Sequence, residues 1–90
     1  MKREFYVIAF ESTHHAIMIE KKLKDKYNIN TIPTPREITV NCGLSIRFQR
    51  EALEGIIEEL ISQKVERNRL GIYRIVTIDG GKRAEKINWG

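Results

Sequence analysis

Ninety residues, 41% hydrophobic and 31% charged, describe a single soluble globular domain and exclude a disordered chain. Sixteen Lys and Arg against 12 Asp and Glu give a formal charge of only +4. Most of the basic residues are interleaved with acids, as in Glu20-Lys21-Lys22-Leu23-Lys24-Asp25-Lys26, which marks a solvated helix face and argues against direct nucleic-acid binding.

No apolar run approaches the roughly 18 residues of a membrane span. Met1-Lys2-Arg3-Glu4 lacks the apolar region of a signal peptide, and a single unpaired cysteine suits the reducing cytoplasm. The expected setting is therefore cytoplasmic, with no membrane partner. A chain this short buries one modest core, which leaves room for stabilisation by homo-oligomerisation.

Glu4 to Phe10 is nearly continuous in aromatic and β-branched residues and predicts a central strand buried on both faces. Ser12 or Thr13 offers the N-cap of a helix running to about Tyr27, with Ala16, Ile19, Leu23 and Tyr27 as its apolar stripe. A short strand at residues 30–32 stops at Pro33. A long connection follows, with an extended piece expected at residues 37–40.

Leu44 to Phe48 alternates and predicts a half-exposed strand. A second helix is expected over residues 50–63, with Ala52, Leu53, Ile56, Ile57, Leu60 and Ile61 on its apolar side. Gly55 weakens that helix, which suggests a close packing contact there. A last strand is expected over residues 71–78, ended by Asp79-Gly80-Gly81. Residues 81–90 are expected as a flexible basic tail after a domain spanning 1–80, with Trp89 free to dock.

The order strand, helix, strand, strand, helix, strand predicts an α+β, ferredoxin-like βαββαβ fold. In that fold a four-stranded antiparallel sheet carries two helices on one face. Short connections force the chain to alternate direction. Three connections then share one end: residues 11–15, 33–43 and 64–69. His14, Arg36, Cys42, Arg67 and Arg69 are thereby gathered at one edge of the domain.

Cys42 stands within Ile32-Pro33-Thr34-Pro35-Arg36-Glu37-Ile38-Thr39-Val40-Asn41-Cys42-Gly43-Leu44. It has no partner for an intramolecular disulfide and no CxxC companion for zinc. Two readings stay open. Free cysteine commonly packs as a small hydrophobe. Alternatively, Pro33 and Pro35 stiffen the approach, Arg36 favours a thiolate, and Gly43 permits close backbone approach. The start of the first helix, at Ser12 and Thr13, would stabilise a small anion, and His14 would serve proton transfer. Adjacent His14 and His15 diverge on a helix, so no metal site is expected.

Phe10-x-Ser12-Thr13-His14-x-Ala16 and Glu20, followed by Pro33-Thr34-Pro35-Arg36-Glu37-Ile38 and Cys42-Gly43-Leu44, resemble a family of small bacterial proteins. These are the selenium/sulfur carrier-like proteins, formerly a domain of unknown function. The resemblance covers roughly Phe5 to Tyr73. It implies that Cys42 holds a sulfane sulfur or selenium as a persulfide-type adduct. The protein would then be a carrier or accessory protein rather than a stand-alone enzyme, served by a donor enzyme and an acceptor protein, without a bound organic cofactor. The site residues expected on this reading are Cys42, His14 and Arg36, with Ser12, Thr13, Pro35 and Gly43 as binding positions. The alternative is a regulatory or structural module that binds an anionic metabolite or a protein partner, with Cys42 only structural.

Overall fold

The computed structural model describes residues 3–38 and 43–89. Strand β1, Arg3–Phe10, runs through the middle of the molecule, and its side chains from Tyr6 to Phe10 are all buried. After helix α1 (Thr13–Leu23) come strand β2 (Ile29–Pro33) and strand β3 (Leu44–Phe48). Helix α2 (Leu53–Ser62) leads to strand β4 (Leu70–Ile78) and strand β5 (Gly81–Ile87). The five strands form one antiparallel sheet in the order β2-β3-β1-β4-β5.

Residue parity along the strands decides what each face buries. Tyr6, Ile8 and Phe10 of β1, with Ile46, Phe48 and Ile72, meet Ala16, Ile19 and Leu23 of α1 and Ile56 and Leu60 of α2. Both helices thus lie on one face, as the spacing of their apolar residues requires. The rings of Tyr6 and Phe48 stack there at 5.7 Å. The opposite parity, Val7, Ala9 and Ile75, forms a thinner second cluster closed by Ile38 from the β2–β3 connection.

The sequence leads to an expectation of four strands and a loose tail. The structure corrects both, because residues 81–87 pair with β4 from Ile78↔Gly81 to Ile72↔Ile87. Gly80 turns the hairpin with φ 81°, a left-handed conformation that glycine adopts without a Cβ penalty. Glu85 of β5 takes one branch of the Arg74 guanidinium at 3.0 Å while Glu4 of β1 takes another at 2.6 Å. The hydrogen bond to Glu4 raises the Arg74 pKa further above its already high ordinary value. Beyond β5, Trp89 turns back into the helix-side core and is 7% exposed.

The helix ends also differ from expectation. α1 stops at Leu23, whose carbonyl accepts from the N–H groups of Lys26 and Tyr27 at 3.0 and 2.9 Å and closes a final turn. Residues 50–52 form a single 3-10 turn before α2, and Gln49 ahead of it supplies no side-chain cap. Ile61 falls outside the buried stripe and is half exposed. Gly55 faces the Tyr27 ring closely enough that an added methyl would lie 2.9 Å from its ring carbons. Part of the expected 37–40 extended piece lies outside the described residues. Glu37 and Ile38 belong to a turn in which the Ile38 N–H donates to the Pro35 carbonyl at 3.0 Å.

The two helices are also stitched at their surface. Lys26 Nζ donates to Glu59 at 3.0 Å, Gln63 donates to the same carboxylate at 3.2 Å, and Lys22 reaches Gln63 at 2.7 Å. The hydrogen bond from Lys26, then that from Gln63, hold the Glu59 carboxyl below its ordinary range. A folded pKa below the unfolded one contributes stability above the unfolded value and loses it as pH falls through the folded value. Glu59→Gln is therefore expected to melt slightly lower than the parent at neutral pH. The two melting temperatures should converge as pH falls below about 4.3; thermal unfolding at a series of pH values measures this. Trp89→Ala should cost about 3–5 kcal/mol and Leu60→Ala about 2–5 kcal/mol in denaturant unfolding. A Trp89 variant as stable as the parent would show that Trp89 adds nothing to the core.

Candidate functional site

Phe10 of β1 pairs with Leu70 of β4, Ala9 of β1 pairs with Ser45 of β3, and Pro33 of β2 pairs with Leu44 of β3. The exit of β1 therefore lies at the same end of the sheet as the exit of β2 and the starts of β3 and β4. The three connections expected to share an end open there. Two of them touch directly, as the Glu11 N–H donates to the Arg69 carbonyl at 3.0 Å. Arg69 itself pairs with Glu66 at 3.5 Å.

Ser12 caps α1. Its backbone is extended, at φ −142° and ψ 151°, and its hydroxyl accepts from the His15 N–H at 3.3 Å. The same oxygen lies 2.7 Å from His15 Nδ1, where it donates if the ring carries its proton on Nε2. The cap thus fixes His15 and not His14. The two rings stand 6.0 Å apart at 69°, edge to face, so they approach each other where divergence was expected of neighbours on a helix. His14 is exposed and shares the outer stripe of α1 with Ile17, Met18, Lys21 and Lys22. Thr13 is exposed at the first helical position. Among the described residues, no group of three or more His, Cys, Asp or Glu is placed to hold a metal ion.

The β2–β3 connection is pinched at its root. The Thr34 N–H donates to the Gly43 carbonyl at 2.9 Å, and the Thr34 hydroxyl bonds that of the fully buried Ser45 at 2.8 Å. Pro35 is half-buried and Arg36 exposed in the turn that follows. Ile38, 6% exposed, anchors this turn against Val7, Ala9 and Ile75. The described part of the connection, up to Ile38, therefore leans onto the face opposite the helices, whereas His14 belongs to the helix layer. No hydrogen bond or ion pair among the described residues joins Arg36 to His14. Nothing lies within 4 Å of a Cβ built at Gly43, so close backbone approach is not what that glycine serves among the described residues. Cys42 lies outside the described residues.

Sequence reasoning did not anticipate a cleft of about 390 Å³ where β4 starts and β5 ends, lined by Leu70, Lys86, Ile87, Asn88 and Trp89. Its only signal was an isolated tryptophan next to the chain end. No helix among the described residues is long and apolar enough to cross a membrane.

Comparison with known proteins bears on residues 5–74, which match the family described as "Putative Se/S carrier protein-like". The chain is also 38% identical over 60 residues to an uncharacterized protein of Methanocaldococcus jannaschii. That alignment covers 67% of this chain and 30% of the archaeal protein, so the chain spans less than a third of its relative's length. No solved structure gives a significant match. The family match runs from the middle of β1 into β4, across both helices and the whole β2–β3 connection; the chain belongs to the Se/S carrier protein-like family.

Proposed function

We propose that the protein carries a sulfane sulfur or selenium atom on Cys42. The observation that supports this most is the family membership, whose matched segment contains Cys42 and both flanking stretches. The pinched root of the connection supports it too. Gly43, the next residue, is tied to Thr34 at the end of the sheet where three connections converge. In the loading step the Cys42 thiolate attacks the terminal sulfur of a donor enzyme's persulfide. A new S–S bond forms at Cys42, the donor's S–S bond breaks, and the donor cysteine leaves as thiolate, with no net oxidation. Selenium would be carried in the same way from a donor perselenide.

Arg36 shares the connection with Cys42 and supplies positive charge that favours the thiolate. The capped start of α1 at Ser12 and Thr13 supplies backbone N–H groups for a small anion. His14 supplies a proton, and Pro35 and Gly43 frame the loop. Donor enzyme and acceptor protein are the partners, in the cytoplasm. We also infer that β1 to β4 with α1 and α2 constitute a ferredoxin-like unit to which β5 is added. The strand order and the one-sided helices support that reading.

Incubation with a cysteine desulfurase and cysteine should add sulfur to the intact protein, read by mass spectrometry. Reductant should remove it, and Cys42→Ser should abolish it. Alkylation of the native protein at neutral pH should be fast, and Arg36→Ala should slow it by up to about tenfold, the thiolate loss of one pKa unit. His14→Ala should slow loading, and an unchanged loading rate removes His14 from the site. A Cys42 that gains no sulfur and is alkylated only after denaturation overturns the carrier reading.

A further inference from the structure

The face of the sheet opposite the helices carries charge of one sign. Antiparallel register puts directly opposed residues on the same face. One row across the sheet reads Asn30, Arg47, Val7, Tyr73, Lys86, from β2 to β5. The next reads Phe5, Ile75, Ala84, and the third Arg3, Thr77, Lys82. Four cations therefore stand on this face, and none of the strand residues that share it is acidic. Among the described residues none of the four is in an ion pair. The acids of the neighbouring strands, Glu4 and Glu85, have the opposite parity and bind Arg74.

The cations surround aromatic rings. Phe5 and Tyr73 are both half-buried on this face. The Arg47 guanidinium lies 4.6 Å from the centroid of Phe5, and its Nε is buried without a hydrogen-bond partner. Tyr73 lies over Gly71, where an added methyl would come 2.9 Å from the ring. The glycine thus lets the ring lie flat along the sheet. Ile38 packs with Val7, Ala9 and Ile75; Phe5 and Tyr73 flank that cluster with part of each ring accessible, and Arg3, Lys82 and Lys86 are exposed.

We propose that this face binds single-stranded nucleic acid. Its chemistry fits a polyanion whose monomers each carry a π-face. Lys82, Lys86 and Arg3 suit phosphates, while Phe5, Tyr73 and the Arg47 plane suit unpaired bases. A second copy of this chain is a poor occupant, because two such faces would oppose like charges. An acidic protein would use the cations but has no counterpart for the flat rings. The sequence hides this site. A single strand offers no more than the Arg3–Phe5 pair of β1, and the constellation arises only when β1, β3, β4 and β5 are set in register.

The test is fluorescence anisotropy with labelled single-stranded RNA and DNA of about ten nucleotides, at several salt concentrations. Binding of either one, weakening with salt, is expected. Lys82→Ala/Lys86→Ala, both exposed positions, should weaken binding and flatten the salt slope by about one to two units. Tyr73→Leu should weaken it by about fivefold to 150-fold. Lys21→Ala/Lys24→Ala on the helix layer removes the same charge and should weaken it much less. Several results overturn the proposal: no binding of either single strand at low salt, equal effects of the two lysine pairs, or a duplex or polyglutamate bound as tightly as the single strands.

Discussion

Burial of β1 on both faces is the constraint on which the rest depends. Val7 to Phe10 have no exposed surface, so each must find a partner above or below the sheet. One parity calls for two helices, and α1 and α2 supply Ile19, Leu23, Ile56 and Leu60. The other parity calls for something lighter, and Ile38 reaches back from the β2–β3 connection to provide it. Because β1 is hydrogen-bonded on both sides, to β3 and β4, its direction also fixes which ends of those strands meet. The shared end of the three connections is thus a consequence of the core.

The two faces have divided their labour. The helix face carries the packing, and its exposed chemistry is balanced by pairs such as Lys26 with Glu59. The other face is shallow and lacks compensating acids on its strands. Within β1 and within β5, a charged residue is neutralised or left bare according to which face its place in the alternation gives it. In β5, Glu85 faces Arg74 while its neighbour Lys86 faces away.

The parts of the fold legible in the sequence were those with strong apolar patterns. β1, β3, β4 and the buried stripes of both helices follow directly from hydrophobic spacing. β5 was illegible because Lys82-Arg83-Ala84-Glu85-Lys86 contains one small apolar residue. Its place is set by a glycine turn, the Arg74–Glu85 pair and a tryptophan beyond the strand, all long-range effects. At the candidate site, a cap at Ser12 or Thr13 was legible from helix-start chemistry, and the structure gives it to Ser12. That its hydroxyl engages the ring of His15 was not, since both histidines are equally plausible from spacing alone. Chain alternation also placed the start of the β2–β3 connection at the end where β1 exits, but it could not show that Ile38 packs on the face opposite the helices.

Both margins of the sheet discourage a sixth strand. β2 is five residues long and ends in Pro33, which has no N–H to offer a neighbour. β5 presents a dense row of charged side chains that an incoming strand would have to desolvate. Aggregation by edge-to-edge growth is thereby suppressed, even though the core strands are rich in β-branched and aromatic residues. Any assembly the protein enters must then be built on a face or an end of the sheet, where side chains determine who is accepted, and not on its backbone margins, which would take any extended peptide.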